Sequence, residues 1–357
     1  MTSAMPPVLH RLVAAGLVSP RDLLAPGSNV LALGRRNDNS LIAAGGAHLF
    51  FKQARDADGF ATLEHEHAAL GLIEKHLPAV RGIPRPRHVD RAERWIAIEL
   101  LPTHETLSDR LRRARRPART ALAMAGRALG EVHAAVAIVE MSDPGAPPDV
   151  RSFVEPAPGD YAEFSPCTAA FVGAAQASSI ASGLLAIEEV WRPDGPTHGD
   201  LRWENIVVGT RRRTRPALMP LRSSSRDRGW IVDLEFLGLG DRRWDLGCFI
   251  GDALFALITG LDTADERPPD LAASKVPLGA VAFTVTTFLE AYRSARPWTP
   301  RAEDRAAIGQ FAVFRLFGRF HERSKYRNEL DRQSVLALQA CDTLLAKPDS
   351  ALALFGV

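Results

Sequence analysis

The chain has 357 residues, 46% hydrophobic and 24% charged, which is the usage of a folded globular protein and excludes disordered, collagenous and membrane-embedded classes. Its length suits two core-bearing lobes, and a formal net charge of +2 gives no overall field that would mark nucleic acid as a partner. Cys167, Cys248 and Cys341 are too far apart for a zinc or CxxC motif and fit a cytoplasmic setting, while residues 1–24 show no secretory pattern.

Val8 to Leu17 has helical periodicity, and Ser19-Pro20-Arg21-Asp22 starts a second short helix with Ser as cap and Pro in the first turn. The pattern then changes to short β-compatible runs at Val30–Leu33, Ser40–Ala44 and Ala47–Lys52, with a hairpin turn at Gly45-Gly46. Thr62–His76 predicts an amphipathic helix, followed by two strands at Arg87–Asp90 and Arg94–Leu100. From Thr106 the period is mostly helical, over 119–136, 167–190, 244–258, 276–293, 301–319 and 331–345. Two β runs, Ile206–Val208 and Trp230–Val232, interrupt it and flank an exposed Arg/Ser/Pro-rich loop at 209–229. Residues 137–160, with five prolines, predict another surface segment. The most apolar run, Cys248–Leu261, is interrupted by Asp252 and is shorter than the roughly 20 residues of a membrane span, so it predicts a core helix. The expectation is an α+β, bilobal chain: a helical extension over 1–26, a β-rich lobe with one principal helix over 27–101, and a helical lobe over 102–357.

The strongest local signal is His198-Gly199-Asp200-Leu201-Arg202-Trp203-Glu204-Asn205, which satisfies H-x-D-L-x-x-x-N and runs into a strand. A carboxylate can take the proton of an attacking hydroxyl, and an amide oxygen five residues on can ligate the Mg²⁺ that neutralises a triphosphate. A Gly/Asp/Asn turn at a strand entrance is the plainer reading of the same residues. Asp233 ends a second apolar strand twenty-eight residues past Asn205, and Glu235 follows on the same side of an extended chain. Oxygen donors of this kind suit Mg²⁺, although strand ends also carry Asp simply to start a turn.

These motifs, with Asp241-Arg242-Arg243-Trp244-Asp245 after them, resemble the aminoglycoside phosphotransferase and choline kinase-like family, whose members have a protein-kinase-like fold and move the γ-phosphoryl of ATP to a hydroxyl. The resemblance implies Asp200 as base, Asn205 and Asp233 as Mg²⁺ ligands, and Asp245 as a brace for the active-site loops from the start of its helix, while the spacing alone lets Glu235 take a second metal. Arg202 and Trp203 would shape the loop beside the acceptor. Lys52 would bind the phosphates, paired with Glu66; Glu64 competes, since two residues apart cannot share a helix face. Only five of the 44 basic residues are lysine, which makes Lys52 at the end of an apolar strand conspicuous. His65 and His67 do not converge as metal ligands. The phosphate loop has no G-x-G-x-x-G, so Asn37, Ser40 and backbone N–H groups would cover the phosphates, and Glu99 to Leu101 would form the hinge that meets adenine.

The acceptor is less legible. Residues 240–330 hold 12 acidic and 13 basic side chains, without the acid surplus a polycationic acceptor would need. Basic clusters at Arg110, Arg112, Arg113, Arg115, Arg116 and Arg119, and at Arg211–Arg213 and Arg215, suit either a solvated face or an acidic peptide. Arg35-Arg36-Asn37 and Arg202-Trp203-Glu204-Asn205 also resemble the stand-alone kinases of class V lanthipeptide and thioamitide biosynthesis. That resemblance implies Ser/Thr of a precursor peptide as acceptor and a separate lyase acting afterwards. The alternatives are a small alcohol such as an antibiotic, sugar or amino alcohol, and a non-catalytic pseudokinase. No nucleic acid or membrane partner is expected.

Overall fold

The structure is a computed structural model and describes residues 7–34, 38–102, 105–113, 116–135, 146–210, 227–262 and 274–357. Asn37, the Arg35-Arg36 pair, Arg115, Arg211–Arg213, Arg215 and most of the 209–229 loop lie outside the described residues.

Period-two patterning builds the first lobe. Strands β1 (Asn29–Gly34), β2 (Asp38–Ala44), β3 (Ala47–Gln53), β4 (Pro86–Asp90) and β5 (Trp95–Glu99) form one antiparallel sheet in the order β1-β2-β3-β5-β4. Alternation along β3 sends Leu49 and Phe51 to one face and Phe50 and Lys52 to the other. The first face carries a small core with Ile42, Trp95 and Ala97, closed by Leu12 and Val18 from the N-terminal segment. That segment contributes helices α1 (Pro7–Ala14) and α2 (Pro20–Leu23), the latter capped by Ser19 with Pro20 in its first turn. The described part of this segment, residues 7–26, packs against one side of the sheet. The opposite side meets α3 (Ala57–His76), which starts a turn and a half earlier than its apolar period because the Asp56 carboxylate accepts the Gly59 N–H at 2.7 Å.

The second lobe is helical: α4 (Leu107–Arg112), α5 (Arg119–Ala134), α6 (Arg151–Val154), α7 (Pro166–Gln176), α8 (Ile180–Leu185), α9 (Ile187–Val190), α10 (Arg242–Gly260), α11 (Leu278–Ala295), α12 (Ala302–Ser324), α13 (Arg332–Ala346) and α14 (Ser350–Ala353). The single helix expected over 167–190 is instead three, with an 82° bend after Gln176. Serines cause the break, since Ser178 Oγ donates to Ala175 O at 3.0 Å and accepts the Ile180 N–H at 3.3 Å in place of a helical bond. Helix α10 is the core helix anticipated from its apolar run, buried at every residue from 243 to 254 and packed along α12. All three cysteines are buried and free. Among the described residues no single helix is long and apolar enough to cross a membrane.

Two short ladders lie within the second lobe. β6 (Gly195–Thr197) pairs with β9 (Gly238–Gly240), and β7 (Ile206–Thr210) pairs with β8 (Asp227–Ile231) with Ile206 opposite Ile231.

Candidate active site

Lys52 sits on the inner face of β3, where its Nζ lies 2.9 and 2.7 Å from the two Glu66 carboxylate oxygens and 3.2 Å from Asp233 Oδ1. Burial works against the charge on Lys52, but Glu66 and Asp233 outweigh it and raise the ammonium's pKa. Burial raises the pKa of Glu66, and Lys52 counteracts part of that rise. Glu64 points away, to an exposed ion pair with Arg91, because two residues on a helix turn a side chain by about 200°. Glu66 is thus the cleft partner.

The β7–β8 register explains why two residues distant in sequence meet. Pairing Ile206 with Ile231 brings Asn205 and Asp233 to the same end of the ladder, where Val232 N–H donates to Asn205 O at 2.9 Å. Asp233 has φ +66°, a left-handed backbone that Asp tolerates better than most residues, and this turns its carboxylate to Lys52. Burial raises the Asp233 pKa, yet Lys52 prevails and holds the carboxyl below the ordinary range. Asn205 Nδ2 donates to Asp200 O at 2.9 Å, which engages its nitrogen and leaves its oxygen as the atom able to ligate a cation. Among the described residues no three His, Cys, Asp or Glu side chains converge as a metal cage. One carboxylate and one amide oxygen beside a phosphate site fit Mg²⁺, which keeps few protein ligands and takes the rest from phosphate and water.

The loop from His198 to Asn205 is clamped from below by α10. Asp245 Oδ2 accepts the His198 N–H at 2.6 Å and Oδ1 the Gly199 N–H at 3.0 Å. His133 braces Asp245 in turn, with Nε2 2.9 Å from Oδ2 and Nδ1 3.0 Å from Tyr292 OH. Gly199 has φ +84°, and a Cβ there would stand 2.7 Å from Phe236 Cβ, so only glycine suits this turn. The His198 ring links the two halves of the site: Nε2 donates to Val232 O at 3.0 Å, and Nδ1 accepts the Asp200 N–H at 3.3 Å. Since a carbonyl can only accept, the proton is on Nε2.

A second clamp was not anticipated. Asp252 Oδ2 accepts the Trp203 N–H at 2.7 Å. It lies seven residues, about two turns, beyond Asp245 on the same face of α10, so the two aspartates hold both ends of the loop. Its signal in the sequence was the lone charge inside an apolar helix. Around Asp200, Arg202 Nε stands 2.7 Å from Oδ2 and Arg315 Nη1 3.4 Å from Oδ1.

Between the lobes is a cavity of about 300 Å³. Leu33, Leu41 and Phe50 line its sheet side, Val207 and Val232 the opposite side, Glu99 to Leu101 one edge, and Lys52, Glu66, Asn205, Asp233 and Glu235 its polar end. The apolar slot between two lobes, polar at one end, has the form of a small-ligand site. Ser40 is not among the lining residues. It pairs with Phe51, on the outer face of the sheet, whereas its neighbours Asn39 and Leu41 line the cavity. Strand side chains alternate, so the positions on either side of Ser40 face the cavity and Ser40 faces away from it.

A family model described as the phosphotransferase enzyme family matches residues 29–261. A search of curated proteins finds no significant sequence match. Among solved structures, the chain is similar to choline kinase from Cryptosporidium parvum (9% identity, TM-score 0.53, 97% of this chain and 96% of that one). It is also similar to a spectinomycin phosphotransferase in complex with ADP and spectinomycin (11%, TM-score 0.50, 92% of each chain). A third is the GDP complex of an aminoglycoside 2'-phosphotransferase variant (14%, TM-score 0.50, 98% of each chain). These likenesses establish the kinase-like fold.

Proposed function

The chain belongs to the phosphotransferase enzyme family, a kinase acting on a hydroxyl acceptor, and on that premise we propose that it transfers the γ-phosphoryl group of ATP to a small-molecule alcohol. The observation that carries this reading is the convergence on one cavity of the Lys52–Glu66 pair, Asp233 and Asn205, with Asp200 tied to Asn205 just beside it. In this reading Lys52 binds the phosphates, the Glu99–Leu101 edge meets the base, and Asp200 accepts the proton of the acceptor hydroxyl as its oxygen bonds to phosphorus and the bond to the departing ADP breaks. Asn205 and Asp233, with Glu235 at the same end of the cavity, would hold Mg²⁺. When bound, that ion supplies neutralisation of phosphate charge.

Spectinomycin, named with one similar structure, and choline, implied by the name of another, are small hydroxyl compounds, which supports a small acceptor. The balanced charge of residues 240–330, and the two arginines on Asp200, disfavour a polycation. The peptide acceptor draws little support from the first arginine cluster. Arg110, Arg112 and Arg119 pair with Glu105, Asp109 and Glu290 at 2.7–2.9 Å, and Arg116 covers the Phe283 ring at 3.6 Å.

The test is mass spectrometry of phosphorylated products after incubation with MgATP and choline, spectinomycin, a sugar, an amino alcohol or a Ser/Thr-containing peptide. A phosphorylated small alcohol is expected, and Asp200→Asn should slow its formation roughly 10²–10⁴-fold while sparing ATP binding. Phosphorylation of the peptide alone would replace the small acceptor, and nucleotide binding with no transfer to any acceptor would leave a pseudokinase.

A further inference from the structure

Helices α10 and α12 approach closely at Gly251, where a Cβ would stand 2.6 Å from both Ala312 O and Arg315 Cβ. The missing side chain admits the stem of Arg315, whose guanidinium then reaches the loop with the side chain only 11% exposed. Its Nη1 is 3.4 Å from Asp200 Oδ1 and its Nε 3.2 Å from Asp252 Oδ1, while Asp252 Oδ2 holds the Trp203 N–H. One planar side chain therefore spans the residue assigned as base and the clamp beneath it. Burial opposes charge on Arg315, but Asp252 and Asp200 outweigh it and keep the guanidinium charged.

Resting on the assignment of Asp200 as base, we infer that Arg315 is a positioning residue for it, locking the Asp200 carboxylate to α10 and α12 in the orientation that receives the acceptor's proton. A buried arginine could serve only to neutralise Asp252. Two observations weigh against that role alone: Arg319 Nε already lies 3.6 Å from Asp252 Oδ1, and Arg315 directs a separate nitrogen at Asp200. Lysine cannot replace it, since an ammonium is a single point of charge and cannot span two carboxylates with two nitrogens.

The experiment compares Arg315→Lys and Arg315→Met in the full chain, each alone and combined with Asp200→Asn. The readouts are phosphate release from MgATP with water as acceptor, KM for ATP, and thermal unfolding. Arg315→Met takes from Asp252 the nearer of its two arginines, so Arg315→Lys carries the test if the Met variant unfolds. For Arg315→Lys, kcat should fall roughly 10–100-fold with KM for ATP within about threefold, as expected when a reacting group is misplaced. In the Asp200→Asn background the same change should alter kcat by less than about twofold, because coupled residues are not additive. Equal losses in both backgrounds, or a wild-type kcat in folded Arg315 variants beside a slow Asp200→Asn, would overturn the positioning role alone. An Asp200→Asn enzyme as fast as wild type would remove the base assignment as well.

Discussion

Replacing Asp245 by Asn tests whether the loop that carries Asp200 is held by charge-assisted hydrogen bonds. The carboxylate is fully buried and uses both oxygens, Oδ1 for the Gly199 N–H and Oδ2 for the His198 N–H, with His133 Nε2 also 2.9 Å from Oδ2. Asparagine has the same shape but only one accepting end. Whichever way the amide turns, its NH2 faces a backbone N–H, so one bond is lost to a donor–donor contact and the other loses its charge. A hydrogen bond to a charged group contributes about 1.5–3 kcal/mol and a stranded buried donor costs about 1–3 kcal/mol, so a total loss of about 3–5 kcal/mol is expected. Urea unfolding followed by tryptophan fluorescence reads that loss directly. Turnover should also fall about 100-fold, the effect of a displacement near 1 Å at a reacting group. Nucleotide affinity should change less, because Lys52, Glu66 and the Glu99–Leu101 edge belong to the other lobe. Unfolding within about 0.5 kcal/mol of wild type, the range of an ordinary surface substitution, would refute the clamp.

Gly126→Ala would bring a Cβ within 2.2 Å of Phe288 O and force α5 and α11 apart, a loss of about 1–3 kcal/mol readable as a lowered Tm. Gly71→Ala in α3, where a Cβ meets nothing within 4 Å, is the control and should stabilise by about 0.4–1 kcal/mol. Burial lowers the pKa of both His133 and His321, the latter to about 4 from an ordinary 6.5. The unfolded chain thus binds these protons more tightly, so the His321 contribution to stability is full above pH 6.5 and declines as the pH falls toward 4, and the His133 contribution has the same sign. A denaturant midpoint that rose between pH 7 and pH 5 in wild type relative to a His321→Gln variant would contradict this sign.

The loop from His198 to Asn205 was legible because its pattern is contiguous: eight residues, one turn and the start of one strand carry the Asp200 carboxylate, the Asn205 amide and the spacing between them. Lys52 was legible because strand alternation leaves an unexpected charge at the end of an apolar run. Asp233 was visible for the same reason, as a carboxylate closing a short β segment. Local pattern says which side chains belong to an element, and it can say little about which face meets a cleft when polar residues occupy both faces. Ser40 shows this, since a one-residue difference in β2 put Asn39 in the cavity instead.

What only the tertiary structure decided is convergence. The choice of Glu66 over Glu64 followed from how α3 rolls against the sheet, and the break in the 167–190 helix from serines that bond to backbone. Asp252 and Arg315 lie 49 residues from Trp203 and 115 from Asp200, and they meet the loop because glycines let α10 and α12 pack closely. The sequence by itself determined the lobes, the strand-borne lysine and the spacing of the loop, because those depend on local periodicity and on chemistry only a few residues apart. The supports beneath the loop depend on helix packing across a core, and that geometry has no local pattern to record it.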